Sequence, residues 1–133
     1  PEVFDPAVNP YAVRVVITGS RPDPSAFGEF PHFISFDGFI DVEYTPEQLE
    51  RVALISEPFC RYAKWKGGPE PLPAQEKQVI EQLIAKSHKA GKPIRFWCSP
   101  DNAVAWETFR KLGIDIINTD QPEACTLYFQ QNP

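Results

Sequence analysis

The chain has 133 residues, about the length of one domain, and its hydrophobic fraction of 42% is sufficient for a core. The formal net charge is −5 and the sequence has no basic run, which argues against a nucleic-acid-binding surface. No segment approaches the roughly 18 apolar residues of a membrane span. The opening PEVFDPAVNP has neither a basic region nor an apolar run, so it shows no signal peptide. Because the sequence contains no Met, we expect a processed chain or a piece of a longer protein.

Strands separated by turns are predicted for the first part of the chain. Residues 1–11 are rich in proline and are expected to form an extended lead-in. Residues 12–18 (AVRVVIT) are a continuous β-branched run, which is typical of a strand buried on both faces. A second strand is predicted over residues 31–36 (PHFISF), with an Asp-Gly turn after it. Residues 52–55 (VALI) form too short a run to distinguish a strand from a helix.

Two helices are predicted in the middle of the chain. Thr45 is the expected N-cap of a short helix that has Pro46 at its first position. A longer helix spans about residues 73–90, because apolar residues recur there at helical spacing. Gly91 supplies its C-terminal stop.

The remainder of the chain alternates strand and helix with short joints. A strand over residues 93–98 is followed by a helix that has Ser99 as its expected N-cap. A strand over residues 114–119 comes next, and Asp120 with Glu123 has the form of a capping box for the last helix. This alternation is typical of parallel βαβ units with right-handed crossovers. The sequence therefore predicts a single domain of the α/β class, built from parallel β/α units.

The three cysteines carry no recognisable metal or redox motif. Cys60, Cys98 and Cys125 form no CxxC pair, and an odd count predicts no disulfide framework. We therefore expect all three to be small buried hydrophobic residues.

Polar residues at the predicted strand ends are the first candidates for a site, because parallel β/α folds gather binding groups where strands end and helices begin. The candidates are Ser20, Arg21, Asp37, Ser99, Asp101, Asn102 and Asp120, with Glu57 added if residues 52–55 form a strand. Structural alternatives stay open, since Ser99 and Asp120 fit helix caps and Asp37 fits a turn. The Arg21 guanidinium suits a phosphate or carboxylate, and a surface or ion-pair role is equally open.

Arg95 and Trp97 provide the strongest single signal. Successive side chains of a strand alternate between its faces, so these two residues share one face of the strand over residues 93–98. An arginine in the middle of a strand is costly to bury unless it is paired. In a closed barrel this face would line a polar interior. The alternative is an arginine paired with a neighbouring acid and a tryptophan used for packing.

No motif identifies a reaction. The sequence contains no GxGxxG, P-loop or HExxH segment, and no Ser-His-Asp order. His32 precedes a predicted strand, at the end opposite to the expected site, and His88 lies among lysines on a helix. The residues alone therefore do not name a chemistry.

Four segments resemble a known superfamily. GKPIRFWCSPDNAVAWETFRKLGIDIINTD resembles the end of the barrel in glycerophosphodiester phosphodiesterases and phosphatidylinositol-specific phospholipases C, in an uncharacterised branch. VRVVITGSRP and FISFDG are similar to two earlier strands of that branch, and ALISEPF with KWKGG to the segment between them. The ordered succession covers about residues 12–129.

The resemblance implies a (β/α)₈ barrel, of the TIM type, that hydrolyses phosphodiesters. The catalytic histidines and metal-binding acids of that family lie on its first strands, which have no counterpart here. The chain therefore resembles the C-terminal half of such a barrel and is expected to be inactive alone. A divalent cation in the complete barrel, a phosphodiester small molecule or lipid headgroup as substrate, and an extracytoplasmic location are compatible with the resemblance.

The resemblance also implies roles for the candidate residues at the substrate end of the complete enzyme. Arg95 or Arg21 would stabilise charge on the phosphoryl oxygens, and Trp97 would form an apolar wall. Asp120 would orient a histidine from outside this chain. Ser20, Asp37 and Ser99 are the further expected substrate-binding residues.

A non-catalytic α/β module, for binding or interaction, is the alternative function. Under either interpretation a few parallel strands leave unpaired sheet edges and an uncovered apolar face. We therefore expect self-association, or association with a missing N-terminal half.

Overall fold

The computed structural model describes residues 13–133. The expected lead-in, residues 1–11, and the first residue of the predicted strand over residues 12–18 lie outside the described residues. The elements in chain order are β1 (Val15–Ile17), β2 (Ile34–Gly38), α1 (Pro46–Glu50), β3 (Val52–Pro58), α2 (Ala74–Lys89), β4 (Ile94–Trp97), α3 (Ala103–Leu112), β5 (Ile116–Ile117) and α4 (Pro122–Gln131). Short 3-10 helices at Pro24–Glu29 and Phe59–Arg61 connect them.

The strands form one sheet in the order β1-β2-β3-β4-β5. The pairing is parallel, with Val15 opposite Ile34 in the β1–β2 pair and Arg95 opposite Ile116 in the β4–β5 pair. The predicted class, α/β with parallel β/α units, is confirmed. The sequential strand order is that of consecutive strands in a TIM-type barrel. The ambiguous VALI run belongs to strand β3.

Two compact units divide the chain, one ending at Ile55 and the other spanning Ser56–Pro133. In the first unit, Phe36 is fully buried and stacks on Phe27 with ring centroids 4.1 Å apart. The Arg51 guanidinium donates to the carbonyls of Phe30, Pro31 and Ile34. These bonds fix the segment that leads into β2.

The expected Asp-Gly turn after β2 is wrong, because Asp37 and Gly38 belong to the strand itself. A Cβ atom at Gly38 would lie 2.7 Å from Cγ1 of Val52, which is closer than real Cβ contacts. The register between β2 and β3 also shifts at Phe36 and Asp37. The glycine therefore permits close packing against β3 instead of a reversal of the chain.

The second unit has an aromatic core. Phe59 packs edge-on against Phe96 and also contacts Phe109, with ring centroids 6.1 and 5.3 Å apart. Helix α2 buries Ile80 and Ile84 against this unit, as its helical spacing predicts. The observed helix is one residue shorter at each end than the predicted span.

Two predicted helix starts need correction. Asn102, not Ser99, is the N-cap of α3, and its Oδ1 accepts from the Ala105 amide at 3.0 Å. Helix α4 is preceded by Gln121 and has no side-chain cap, so the expected capping box at Asp120 and Glu123 is wrong. The start of α3 thus lies three residues later than the sequence pattern suggested, and the start of α4 one residue later.

The expectation that all three cysteines are buried and unpaired is also wrong. Cys60 and Cys98 form a disulfide across 38 residues of sequence, and both are exposed. They meet because the turn after β3 and the end of β4 lie side by side in the second unit. Cys125 alone is buried, and burial raises the pKa of its thiol.

None of the helices in residues 13–133 has the length and apolar character that a membrane crossing requires.

Candidate functional site

Arg21 and Asp37 meet in the first unit, at the carboxyl ends of β1 and β2. Arg21 Nη1 donates to Asp37 Oδ1, and the Thr18 hydroxyl donates to the other carboxylate oxygen at 2.6 Å. The Arg21 and Asp37 side chains are only 10% and 5% exposed. The guanidinium also lies 3.8 Å from the ring centroid of Phe39. Of the two roles open for Arg21, the contacts match the ion pair.

A cavity of about 450 Å³ adjoins this ion pair. Ser20 and Arg21 line it, together with Phe39 and Tyr44. The Tyr44 hydroxyl accepts from the Phe39 amide at 3.0 Å. Because Asp37 balances the charge of Arg21, the cavity carries little net positive charge toward a ligand.

Arg95 has a different environment in the second unit. Its Nε and Nη2 atoms donate to the Ser56 hydroxyl at 3.3 and 2.9 Å. No acidic side chain within residues 13–133 pairs with it, although an alternative interpretation of the sequence required one. The guanidinium is partly exposed and held by a neutral group. Its full charge is therefore available to a ligand.

Trp97 follows Arg95 on the accessible face of β4. The burial of the strand alternates, with Ile94 and Phe96 buried and Arg95 partly exposed. Trp97 is 45% exposed, so its indole is accessible from solvent. An arginine and an exposed indole therefore share one face, as the strand alternation predicts.

Glu57 is a polar residue near the carboxyl end of β3. It is 1% exposed, and Oε2 accepts from the Tyr62 hydroxyl at 2.9 Å. Its neighbour in the strand, Ser56, is equally buried and binds Arg95. Ser56 and Tyr62 could not be singled out from the sequence, because isolated hydroxyls in an aromatic segment form no motif.

Asp101 organises the connection after β4. Its two carboxylate oxygens accept from the Trp106 indole at 2.8 Å and from the Asp120 amide at 2.9 Å. Burial acts to raise the pKa of Asp101, but the polar groups around the carboxylate, with the Thr119 hydroxyl first, outweigh it and lower the pKa. The Asp101 carboxylate is thus an anionic group that its hydrogen bonds hold in one position.

Two further candidates, Ser99 in the same connection and Asp120 after β5, are placed differently. Ser99 donates to the Phe96 carbonyl at 3.3 Å and lies beside the disulfide. Asp120 is exposed, and its backbone amide is held by Asp101. The carboxylate of Asp120 is therefore at the surface of the unit.

The histidines lie away from these groups. His88, near the end of α2, has Nε2 2.7 Å from Oδ2 of Asp115, and the same oxygen accepts from the Ile94 amide at the start of β4. His88 is thus at the end of β4 opposite to Trp97. His32 is exposed in the turn before β2.

A second cavity, of about 330 Å³, adjoins the disulfide in the second unit. Phe59 and Trp65 line it, together with Lys66 and Ser99. The aromatic content of residues 56–66 was the only sequence signal for it.

Residues 13–133 contain no cluster of three His, Cys, Asp or Glu side chains that could hold a metal ion, so no metal ligand is assigned. No protein-family model, curated protein or solved structure matches the chain.

Proposed function

We propose that the chain is the C-terminal part of a phosphoric diester hydrolase of the barrel type, similar to glycerophosphodiester phosphodiesterases and phosphatidylinositol-specific phospholipases C. In this proposal the second unit binds the phosphodiester group. The observation that carries it is the Arg95 guanidinium, which is partly exposed, bound to a hydroxyl and free of any carboxylate within the described residues.

The chemistry of Arg95 suits a phosphodiester. A guanidinium donates two parallel hydrogen bonds to two oxygens of one phosphate, and charge-assisted bonds of this kind are about twice as strong as neutral ones. Ser56 binds Nε and Nη2, which holds the plane of the group while Nη1 remains available. A cation fixed in advance stabilises the charge that develops on phosphoryl oxygens without reorganising during the reaction.

Trp97 and Asp120 take supporting roles in the proposal. The exposed indole of Trp97 forms an apolar wall for the alcohol part of a glycerophosphodiester or phosphoinositide-like substrate. The exposed carboxylate of Asp120 orients a histidine from outside this chain, as the acid of a catalytic triad orients its histidine. Binding thus belongs to this chain, and proton transfer requires residues beyond it.

A non-catalytic binding module is the second candidate, and the position of His88 favours it. This histidine pairs with Asp115 at the end of β4 opposite to Trp97. A general acid or base must reach the reacting atoms within hydrogen-bonding distance. His88 cannot do so for a ligand bound at Arg95 and Trp97.

Titration calorimetry with glycerophosphocholine tests the binding step. We expect saturable binding, weakened roughly 10-fold to 100-fold in Arg95→Ala, because a hydrogen bond to a charged group contributes about 1.5–3 kcal/mol. Arg110→Ala is the matched control, since Arg110 is exposed and paired with Glu107 on α3. Equal affinity in Arg95→Ala and the wild type would remove Arg95 from the site.

A second assay separates the two candidate functions. A chromogenic phosphodiester is given to the full-length gene product, with and without Arg95→Ala. Turnover that falls in Arg95→Ala supports the hydrolase. Binding without turnover supports the non-catalytic module.

A further inference from the structure

The cavity beside the Cys60–Cys98 disulfide has the composition of a ligand site. Its volume of about 330 Å³ lies at the lower end of the roughly 300–1,000 Å³ that small-molecule sites occupy. All of its lining residues belong to the second unit, on the segments that follow β3 and β4. Arg95 and Trp97 do not line it, so it is distinct from the phosphodiester-binding face proposed above.

Three of the lining residues are apolar and buried. Phe59, Ala63 and Trp65 are each at most 9% exposed. The Trp65 indole donates to the Glu70 carbonyl at 2.7 Å, and its backbone amide donates to Glu76. The indole is therefore held in place before any ligand arrives, which lowers the entropic cost of binding.

The lining also carries one cation and one hydroxyl. Lys66 is exposed and has no ion pair within residues 13–133. The Ser99 hydroxyl donates to the Phe96 carbonyl, so its oxygen is left as an acceptor. A single ammonium group without a carboxylate beside it attracts an anion.

The disulfide and a buried glycine fix the two lining segments relative to each other. Cys60 and Cys98 link the segment after β3 to the end of β4 and themselves form part of the wall. The Gly67 carbonyl accepts from the Asn102 side chain at 3.2 Å, and a Cβ atom at Gly67 would lie 2.8 Å from Pro100. Lys66 is thereby placed next to a rigid junction.

We propose that this cavity binds a small amphipathic anion, in which a single apolar ring carries one phosphate or carboxylate group. An apolar cavity of about 150 Å³ already holds benzene, so about 330 Å³ leaves room for a ring and a charged head. The ring packs on Phe59 and Trp65, and the anionic group pairs with Lys66.

The test uses phenyl phosphate as the probe, with binding followed by tryptophan fluorescence and by calorimetry. We expect saturable binding of phenyl phosphate at low salt, at least about 10-fold tighter than that of phenol or of inorganic phosphate. Phenol lacks the phosphate group, and inorganic phosphate lacks the ring. Raising the ionic strength weakens the binding, because the lysine contact is screened.

Lys66→Ala is expected to weaken phenyl phosphate binding about fivefold, toward the affinity of phenol. Lys64→Ala is the matched control, because this lysine is also exposed but does not line the cavity. Both lysine variants are measured in the Arg95→Ala background, because phenyl phosphate could also bind at the phosphodiester-binding face and this background removes that contribution. An absence of saturable binding in the Arg95→Ala background, or equal effects of Lys66→Ala and Lys64→Ala there, would overturn the proposal.

Discussion

Arg21 follows β1 and Arg95 lies within β4, and their partners give the two guanidinium groups different chemistry. Arg21 is nearly buried, and Asp37 and the Phe39 ring compensate its charge. The removal of either partner from a buried ion pair is costly, so this pair belongs to the architecture of the first unit. Arg95 is bound by the Ser56 hydroxyl and keeps an uncompensated charge. Partner chemistry, more than position along a strand, thus distinguishes a structural arginine from a binding one.

Asp101 is expected to make the second unit sensitive to acid. The pKa of its carboxyl is lower in the folded chain than in the unfolded chain, where it is near 3.8. Its ionised form therefore stabilises the fold above about pH 4, and this contribution is lost as the pH falls through the lower folded value. Asp101→Asn should lower the free energy of unfolding at pH 7 by about 1–2 kcal/mol, because a charged acceptor is lost for Trp106 and Asp120.

The measurement is urea denaturation of the wild type and Asp101→Asn from pH 7 to pH 2. The difference between the two proteins should shrink as the solution becomes acidic. Asp120→Asn is the control, since the exposed Asp120 carboxyl has no hydrogen bond within the described residues. A difference that stays constant with pH would show that Asp101 does not act through its charge.

At the scale of elements, the connections that follow β3 and β4 contain the smaller cavity and the disulfide of the second unit. The segment after β3 contains a 3-10 turn at Phe59–Arg61 and supplies the aromatic residues that line the smaller cavity. The connection after β4 begins with Cys98 at a positive φ of 54°, which is uncommon outside glycine. The disulfide joins these two connections. The geometry of the cavity and the stability of the unit should therefore depend on one covalent bond.

Loss of the Cys60–Cys98 disulfide should lower the free energy of unfolding by about 3–4 kcal/mol, since the bridge closes a loop of 38 residues in the unfolded chain. Denaturation of the double variant Cys60→Ser/Cys98→Ser measures this difference. A dithiol reductant should destabilise the wild type by a similar amount and leave the double variant unchanged. If the reductant destabilises both proteins equally, the effect does not come from this bridge.

At the scale of the whole molecule, local patterns anticipated the elements but not their partners. The β-branched run before Gly19 predicted the strand β1, and the helical spacing of Ile80 and Ile84 predicted α2. The expected burial of β1 on both faces is wrong, because Val15 and Val16 are 43% and 36% exposed. The disulfide could not be predicted, because cysteines 38 residues apart carry no local signal of proximity. The starts of α3 and α4 were misplaced, because several residues near each start can act as caps and tertiary contacts decide between them.

The candidate site likewise has one part that local sequence patterns predict and one part that they do not. Strand alternation predicted the shared face of Arg95 and Trp97, since it depends only on local geometry. The hydroxyl that binds Arg95 comes from Ser56, on a strand 39 residues earlier in the chain. The partner of a side chain, which decides its charge and reactivity, depends on the packing of the whole chain.

The terminal strands of the sheet lead to a prediction of self-association. Val15, in the terminal strand β1, is 43% exposed, and Ile116, in the terminal strand β5, is 39% exposed. An apolar edge strand with unpaired backbone groups is a template for pairing with another chain.

We expect light scattering to show concentration-dependent dimers or larger species. Val15→Lys should shift the chain toward monomer, because a charged residue on an edge strand opposes pairing. Val79→Lys, at a similarly exposed position on α2, should not. A wild type that stays monomeric at all concentrations, and binds no hydrophobic dye, would contradict the expectation that the edge strands of this sheet pair with another chain.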